Sequence, residues 1–195
     1  MSYCIYITTI TDPKKEVHKI YHDTLYGFPL HDDNELFGRL ILEINQAGLS
    51  WETILKKEAN FRKAYDHFNI KKIAVYGEAD RTRLLADAGI IRNRLKINAA
   101  IENAKTILQL QKKYGSFEEW LLSHHPKPKE EWVKLFKQTF RFTGGEIVGE
   151  FLMSIGILPG AHSNDCPIYK NVLATNPLWK NLMPGKRLAL LHSFT

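Results

Sequence analysis

Cysteine is scarce in this chain. There are two in 195 residues, Cys4 and Cys166, one near each end. Cys4 has His22 downstream, and His162 opens a compact H-x3-C that closes on Cys166. Two thiolates and two imidazoles are a full donor set for a tetrahedral Zn2+. One ion held this way would pin the N-terminal segment to the C-terminal region and close a very long loop. The spacing also fits two unrelated free thiols and two surface histidines, because the first pair is not the short C-x2-C type.

Glu43 is the second chemically interesting residue. It stands in an apolar run, Leu40-Ile41-Leu42 before it and Ile44 after it. A buried carboxylate is costly unless it is paired or hydrogen-bonded. Glu43 therefore either faces solvent on a polar stripe or serves as a binding group. Tyr6, Tyr21, Tyr26 and Trp51 are the aromatics to weigh beside it, each as core packing or as a stacking face.

Helices must position these groups. Apolar Leu36, Phe37, Leu40, Ile41 and Ile44 recur at helical spacing over Asp33 to Gly48, with an Asp/Asn start and a Gly stop. Ser50 can cap a second helix, Trp51 to Phe68, with Glu52 favouring the dipole in its first turn. Asp80 to Ala88 reads as a short helix. Asn93 to Tyr114 reads as the longest, with Ile97, Ile101, Ala104, Ile107 and Leu108 on one stripe. Ser116 to Leu122, Glu130 to Gln138 and Gly145 to Ile155 follow, the last two flanking a hairpin at Phe140 to Gly144. The β-branched start, Ile5 to Thr11, reads as a strand or an extended arm. Leu188 to Leu191 reads as a turn of helix in a weakly patterned tail. The fold class is all-α, in two helical lobes joined around residues 30–35 and 112–130.

Length and composition suit one domain of two small lobes. Apolar residues make up 44% and charged residues 25%, an ordinary globular balance. The formal net charge is +6, which modestly favours a polyanionic partner. Residues 1–15 show no basic and apolar leader pattern. No run of about twenty apolar residues suggests a membrane span. A reducing cytoplasm fits, where thiols favour metal over disulfide.

Several runs resemble the DNA-3-methyladenine glycosylase I family, of the helix–hairpin–helix glycosylase superfamily. Leu42 to Trp51 reads LEINQAGLSW against the family's LExxQAGLSW. Tyr21-His22-Asp23 with Tyr26-Gly27 and Pro29 is similar to YHDxEWGxP. Asp87 to Arg94, then Lys96-Ile97, Ala100 and Asn103-Ala104, match DAGIIRNRxKIxAxxxNA. Phe140 to Gly144 resembles FKFVG, and the H-x3-C closes the pattern. The resemblance runs from residue 4 to about 169.

That resemblance implies a monofunctional hydrolase that flips 3-methyladenine out of alkylated double-stranded DNA and leaves an abasic site. It implies one structural Zn2+ on Cys4, His22, His162 and Cys166. It makes Glu43 the catalytic and base-contacting carboxylate, with Tyr21 and Trp51 as pocket aromatics and Tyr6 and Tyr26 where the family carries Trp. An anion beside a cationic base selects it over neutral adenine, and aromatic faces add cation–π attraction. Free 3-methyladenine is then a product ligand, and the expected protein is a monomer.

The helix–hairpin–helix, 130–155, would hold DNA. Gly144 and Gly145 let backbone N–H groups approach a phosphate at a helix start. A plain αα-hairpin is the alternative reading of those residues. Leu49, at a turn between helices, would fill the space of the extruded base or act as a packing staple. Arg92 and Arg94, with Lys96, Arg81 and Arg83, would contact phosphates or form a solvated face.

Beside Tyr6, the residues that depart from the family pattern include Leu25, Tyr26, Thr143, and Glu146 where Thr is usual. Leu158 to His162 carries no carboxylate where most relatives in the superfamily place an Asp. Alkylation already makes the base a good leaving group, so holding it extruded supplies much of the selectivity. The alternative reading is a zinc-containing DNA-binding relative with impaired catalysis. The segment 170–195 is read as a C-terminal extension.

Overall fold

The computed structural model describes residues 2–182. Among these residues every regular element is helical, and there is no strand. Eleven α-helices follow in order: α1 Tyr3–Thr8, α2 Glu16–Thr24, α3 Asp33–Gln46, α4 Trp51–Ala64, α5 Ile70–Ile73, α6 Glu78–Ala86, α7 Arg94–Tyr114, α8 Phe117–His124, α9 Lys129–Thr139, α10 Gly145–Ser154 and α11 Tyr169–Ala174. Short 3-10 turns occupy Pro13–Lys15, Asp66–Phe68 and Leu178–Leu182.

The chain forms two compact units. One comprises 1–29 and 152–195, the other 30–151. The first boundary adjoins the expected joint near 30–35. The second falls within α10, not at 112–130. Asp33 explains the continuity at 112–130: its carboxylate accepts from Gln111 Nε2 at 2.6 Å, Phe117 N at 2.7 Å and Glu118 N at 3.1 Å. That one side chain caps α8 and ties it to α3 and α7.

The 30–151 unit is built around α3. Asp32 caps it, accepting from Asn34 N and Glu35 N. Leu36, Phe37, Leu40, Ile41 and Ile44 are buried along its apolar stripe. Ile54 and Phe61 of α4, Ile97, Ile101 and Ile107 of α7, and Phe117, Trp120, Trp132 and Phe136 of α8 and α9 are buried in the same unit. Gly38 is required by close approach: a Cβ there would stand 2.4 Å from the Phe68 ring.

The expected helix from Trp51 to Phe68 ends at Ala64 instead. Asp66, His67 and Phe68 all have left-handed φ, at 49°, 58° and 58°. Arg83 donates to Ala64 O at 2.8 Å, satisfying a helix-end carbonyl. The reversed turn carries Phe68 into the core beside Gly38.

The other unit contains both chain ends. Its first element corrects the expected strand or arm at Ile5 to Thr11, because Tyr3–Thr8 is a helix. Ser2 caps it through Ile5 N. The β-branched run suggested extended chain, but the buried pair is Cys4 and Ile7, spaced i, i+3. Gly27 N donates to Ser154 O at 2.9 Å, tying the two chain segments of this unit together. Val172 and Trp179 of the C-terminal segment are buried. Leu188 to Leu191 lies outside the described residues. No helix among the described residues is long and apolar enough to cross a membrane.

Candidate functional site

Cys4, His22, His162 and Cys166 converge. All four are buried, and their ligand atoms lie within 4.8 Å of one another, a group that could hold a metal ion. Cys4 Sγ stands 3.8 Å from His162 Nδ1. Cys166 Sγ stands 3.5 Å from His162 Nδ1 and 3.7 Å from His22 Nε2. α1 supplies Cys4 and α2 supplies His22. The loop after α10 supplies the other two, with Cys166 N bonded to Ser163 O in a tight turn.

The outer atoms are also engaged. His162 Nε2 lies 2.7 Å from Tyr26 O, and His22 Nδ1 lies 2.7 Å from Asp23 Oδ1. Each imidazole thus has its outer ring nitrogen held by an oxygen and its other ring nitrogen toward the cluster, the arrangement that orients histidine ligands. Asp23 is in turn bonded to Lys19. Burial works against ionising Asp23, but the bonds from Lys19 and His22 outweigh it and hold the carboxyl below its ordinary range. Burial pushes the pKa of the His162 imidazole down and that of the Cys166 thiol up. Asp165, inside the same loop, is exposed.

An aromatic cluster adjoins this group. Tyr21 and Tyr26 are buried, with ring centres 5.5 Å apart. Tyr3 packs edge-on against Tyr26 at 5.6 Å and stacks with Tyr6 at 6.2 Å. Its hydroxyl lies 3.0 Å from His18 Nδ1. Sequence reasoning found Tyr6, Tyr21 and Tyr26 but missed Tyr3. Its signal was the Ser2 cap, which makes residues 3, 4, 6 and 7 helical neighbours.

Glu43, Leu49 and Trp51 belong to the 30–151 unit. Glu43 is 4% exposed. Burial pushes its pKa up to about 8; Arg39, one turn earlier, works against the shift and Glu150 adds to it. Such a group is a candidate for binding or catalysis. Asn45, on the same helix, has a buried Oδ1 without a partner among the described residues. Leu49 is 39% exposed at the tip of the α3–α4 turn. Trp51 is half-buried at the first position of α4, which Ser50 caps.

The basic residues divide by role. Arg92 and Arg94 are exposed, with Arg94 3.3 Å from Glu78. Arg81 bonds Asn98, and Arg83 bonds Ala64. Lys96 is buried, donating to Asn45 O at 2.9 Å and Ala47 O at 2.7 Å. It ties down the end of α3 and is not a surface cation.

The turn between α9 and α10 presents Gly144 and Gly145. Neither has a left-handed φ. A Cβ on Gly144 would meet nothing within 4 Å, and one on Gly145 only Val133 methyls at 4.0 Å. The protein's own packing does not demand glycine there. The Glu146 side chain is 92% exposed and 3.8 Å from Lys129. Thr143 is buried, its hydroxyl bonded to Phe136 O at 3.1 Å.

Known proteins match this arrangement over most of the chain. The model of the family described as methyladenine glycosylase matches residues 11–169. The DNA-3-methyladenine glycosylase of Haemophilus influenzae is 33% identical over 173 residues, covering 79% of this chain and 93% of that one. DNA-3-methyladenine glycosylase 1 of Escherichia coli is 36% identical over 157 residues, covering 71% and 84%. A solved structure of 3-methyladenine DNA glycosylase I from Staphylococcus aureus aligns with a TM-score of 0.74 at 34% identity, over 83% of this chain and 94% of that chain. A variant of a 3-methyladenine DNA glycosylase I in complex with 3-methyladenine aligns at 0.75 and 33% identity, over 86% and 97%. With a family match across residues 11–169 and relatives this similar over most of their length, the chain belongs to the methyladenine glycosylase family.

Proposed function

We propose that this protein is a DNA repair glycosylase that hydrolyses the N-glycosidic bond of 3-methyladenine in alkylated duplex DNA. It leaves an abasic site and has no lyase step. Glu43 is the observation that carries this reading. Ionising a carboxyl this deeply buried is costly, and a cationic ligand brought against it explains its place there.

Glu43 is the base-recognising and catalytic residue in this reading. With its pKa raised to about 8, the free carboxyl is mostly protonated at pH 7. A cationic base brought against it favours the carboxylate, so binding releases a proton. Neutral adenine offers no such compensation. Tyr21 and Trp51 supply aromatic faces to the base, with Tyr6 and Tyr26 as further aromatics. Glu43 then binds the leaving base as water attacks the sugar.

Cys4, His22, His162 and Cys166 hold one structural Zn2+. Tetrahedral coordination with Zn–S of about 2.3 Å and Zn–N of about 2.0–2.1 Å gives S···N edges of about 3.5–3.6 Å. The observed S···N distances of 3.5, 3.7 and 3.8 Å support that geometry. Four protein donors leave no position for a reacting water, so the ion's contribution is to folding.

DNA is held by the helix–hairpin–helix at 130–155, with Gly144 and Gly145 offering backbone donors to a phosphate. Arg92 and Arg94 add charge, and Leu49 fills the space of the flipped base. Glu146 and Thr143 do not oppose this reading: the first points to solvent, and the second is satisfied internally. Incubation with methylated duplex DNA should release free 3-methyladenine. A protein that binds the duplex but releases no base is the impaired relative instead.

A further inference from the structure

We infer that Phe142 is a second DNA-inserting residue, paired with Leu49 and held at a fixed spacing from it by Lys96. The inference rests on the DNA glycosylase reading above.

Phe142 combines two unfavourable features. Its side chain is 41% exposed, and its φ is +60°. A bulky residue in the left-handed region is strained, and an exposed aromatic gains little from burial in return. The surroundings nonetheless lock it in place. Asn103, fully buried on α7, accepts from Arg141 N at 2.7 Å and donates to Arg141 O at 3.1 Å. On the other side the Thr143 hydroxyl is bonded to Phe136 O. Phe142 stands between these clamps with its ring outward.

Lys96 links this tip to the other. Its ammonium stands 5.8 Å from the centre of the Phe142 ring and 2.7 Å from Ala47 O, two residues before Leu49. One buried cation therefore braces both tips. Leu95, its neighbour, is 68% exposed. Exposed Phe142 faces Lys96, exposed Leu49 follows two residues after its acceptor Ala47, and exposed Leu95 precedes it in sequence, with exposed Arg92, Arg94 and Arg141 nearby in sequence. Exposed apolar side chains among basic residues suit a partner that offers stacked bases framed by phosphates. At a duplex from which one base has been extruded, two apolar side chains can act at once. Leu49 fills the vacated position while the Phe142 ring stacks on an exposed base face.

The test is a titration of abasic-site and intact duplexes with the wild-type protein, F142A, F142W and K96M. The abasic duplex carries 2-aminopurine opposite the gap. F142A should bind the abasic duplex about tenfold more weakly, with a smaller loss on intact duplex, and should lose the change in 2-aminopurine fluorescence. F142W should restore both. K96M should weaken abasic binding while retaining part of the fluorescence change, as expected of a positioning residue. Unchanged binding of free 3-methyladenine by F142A should accompany these losses. Wild-type protein that binds abasic DNA equally well as F142A overturns this inference and leaves the glycosylase reading intact. Wild-type protein that binds neither duplex overturns both. Loss of self-association in F142A without loss of DNA binding assigns the patch to a second copy of the chain and also overturns it.

Discussion

The two units handle buried polar groups in opposite ways. In the unit containing both chain ends, the outer nitrogens of His22 and His162 are engaged by Asp23 and Tyr26. In the 30–151 unit, Glu43 is equally buried, and burial pushes its carboxyl up to about 8 against the pull of Arg39. On the proposed reading, the first site is completed by an ion and then left alone, and the second by a ligand that comes and goes. The cost of burying an ionisable group is tolerated where binding repays it.

Breaking the first site should have the largest effect. Cys166→Ser should cost on the order of 5 kcal/mol, because structural Zn2+ contributes folding energy directly. At roughly 2–4 °C per kcal/mol for a chain of this size, thermal melting should fall by about 10–20 °C. Metal analysis of the wild type should give one zinc per chain, and a zinc-free, equally stable protein would refute the assignment.

Glu43→Gln should act in the opposite direction, and only at higher pH. Folding raises the Glu43 pKa from its ordinary 4.5 to about 8, so the native state holds the proton more tightly than the unfolded chain. The carboxyl costs nothing below about pH 4.5, and stability is lost as pH rises toward 8. The substitution should therefore stabilise the protein above pH 8 by on the order of 3–5 kcal/mol, with the gap closing toward pH 4.5. Melting curves across that range check it; a gap independent of pH would mean the carboxyl is not titrating as described.

Two smaller changes sharpen the contrast. Leu49→Ala should weaken binding to abasic-site duplex by about 1–3 kcal/mol and leave intact duplex nearly unaffected. Equal losses on both duplexes would make Leu49 a packing residue. Asp23→Asn weakens the bond that orients His22 and should lower zinc affinity about tenfold in a chelator competition, with base excision retained in zinc-saturated protein.

Much of this was legible in the sequence where side-chain type and local spacing agree. The apolar stripes of α3 and α7 recur at helical spacing, and Asp32 and Asn93 cap those helices. What was not legible depended on distant partners. Ile5 to Thr11 reads as extended because it is rich in β-branched residues; only packing of Cys4 and Ile7 makes residues 3–8 a helix. The break after Ala64 depends on Arg83 from α6 and on Gly38 from α3. Lys96 sits in a basic run, and no local pattern says that its ammonium turns inward to the end of α3. Phe142 reads as a hairpin aromatic, while its left-handed backbone depends on Asn103, thirty-nine residues earlier.

The account rests on Glu43 meeting a cationic base, and the pH profile of single-turnover excision tests it most directly. With the Glu43 pKa of the free protein near 8, single-turnover release of 3-methyladenine at subsaturating protein should rise as pH increases from about 6 and level off only above 8. Glu43→Gln should be much slower and flat over that range while keeping its zinc. A wild-type profile flat across pH 6–8, or a Glu43→Gln variant as fast as wild type, would contradict the account.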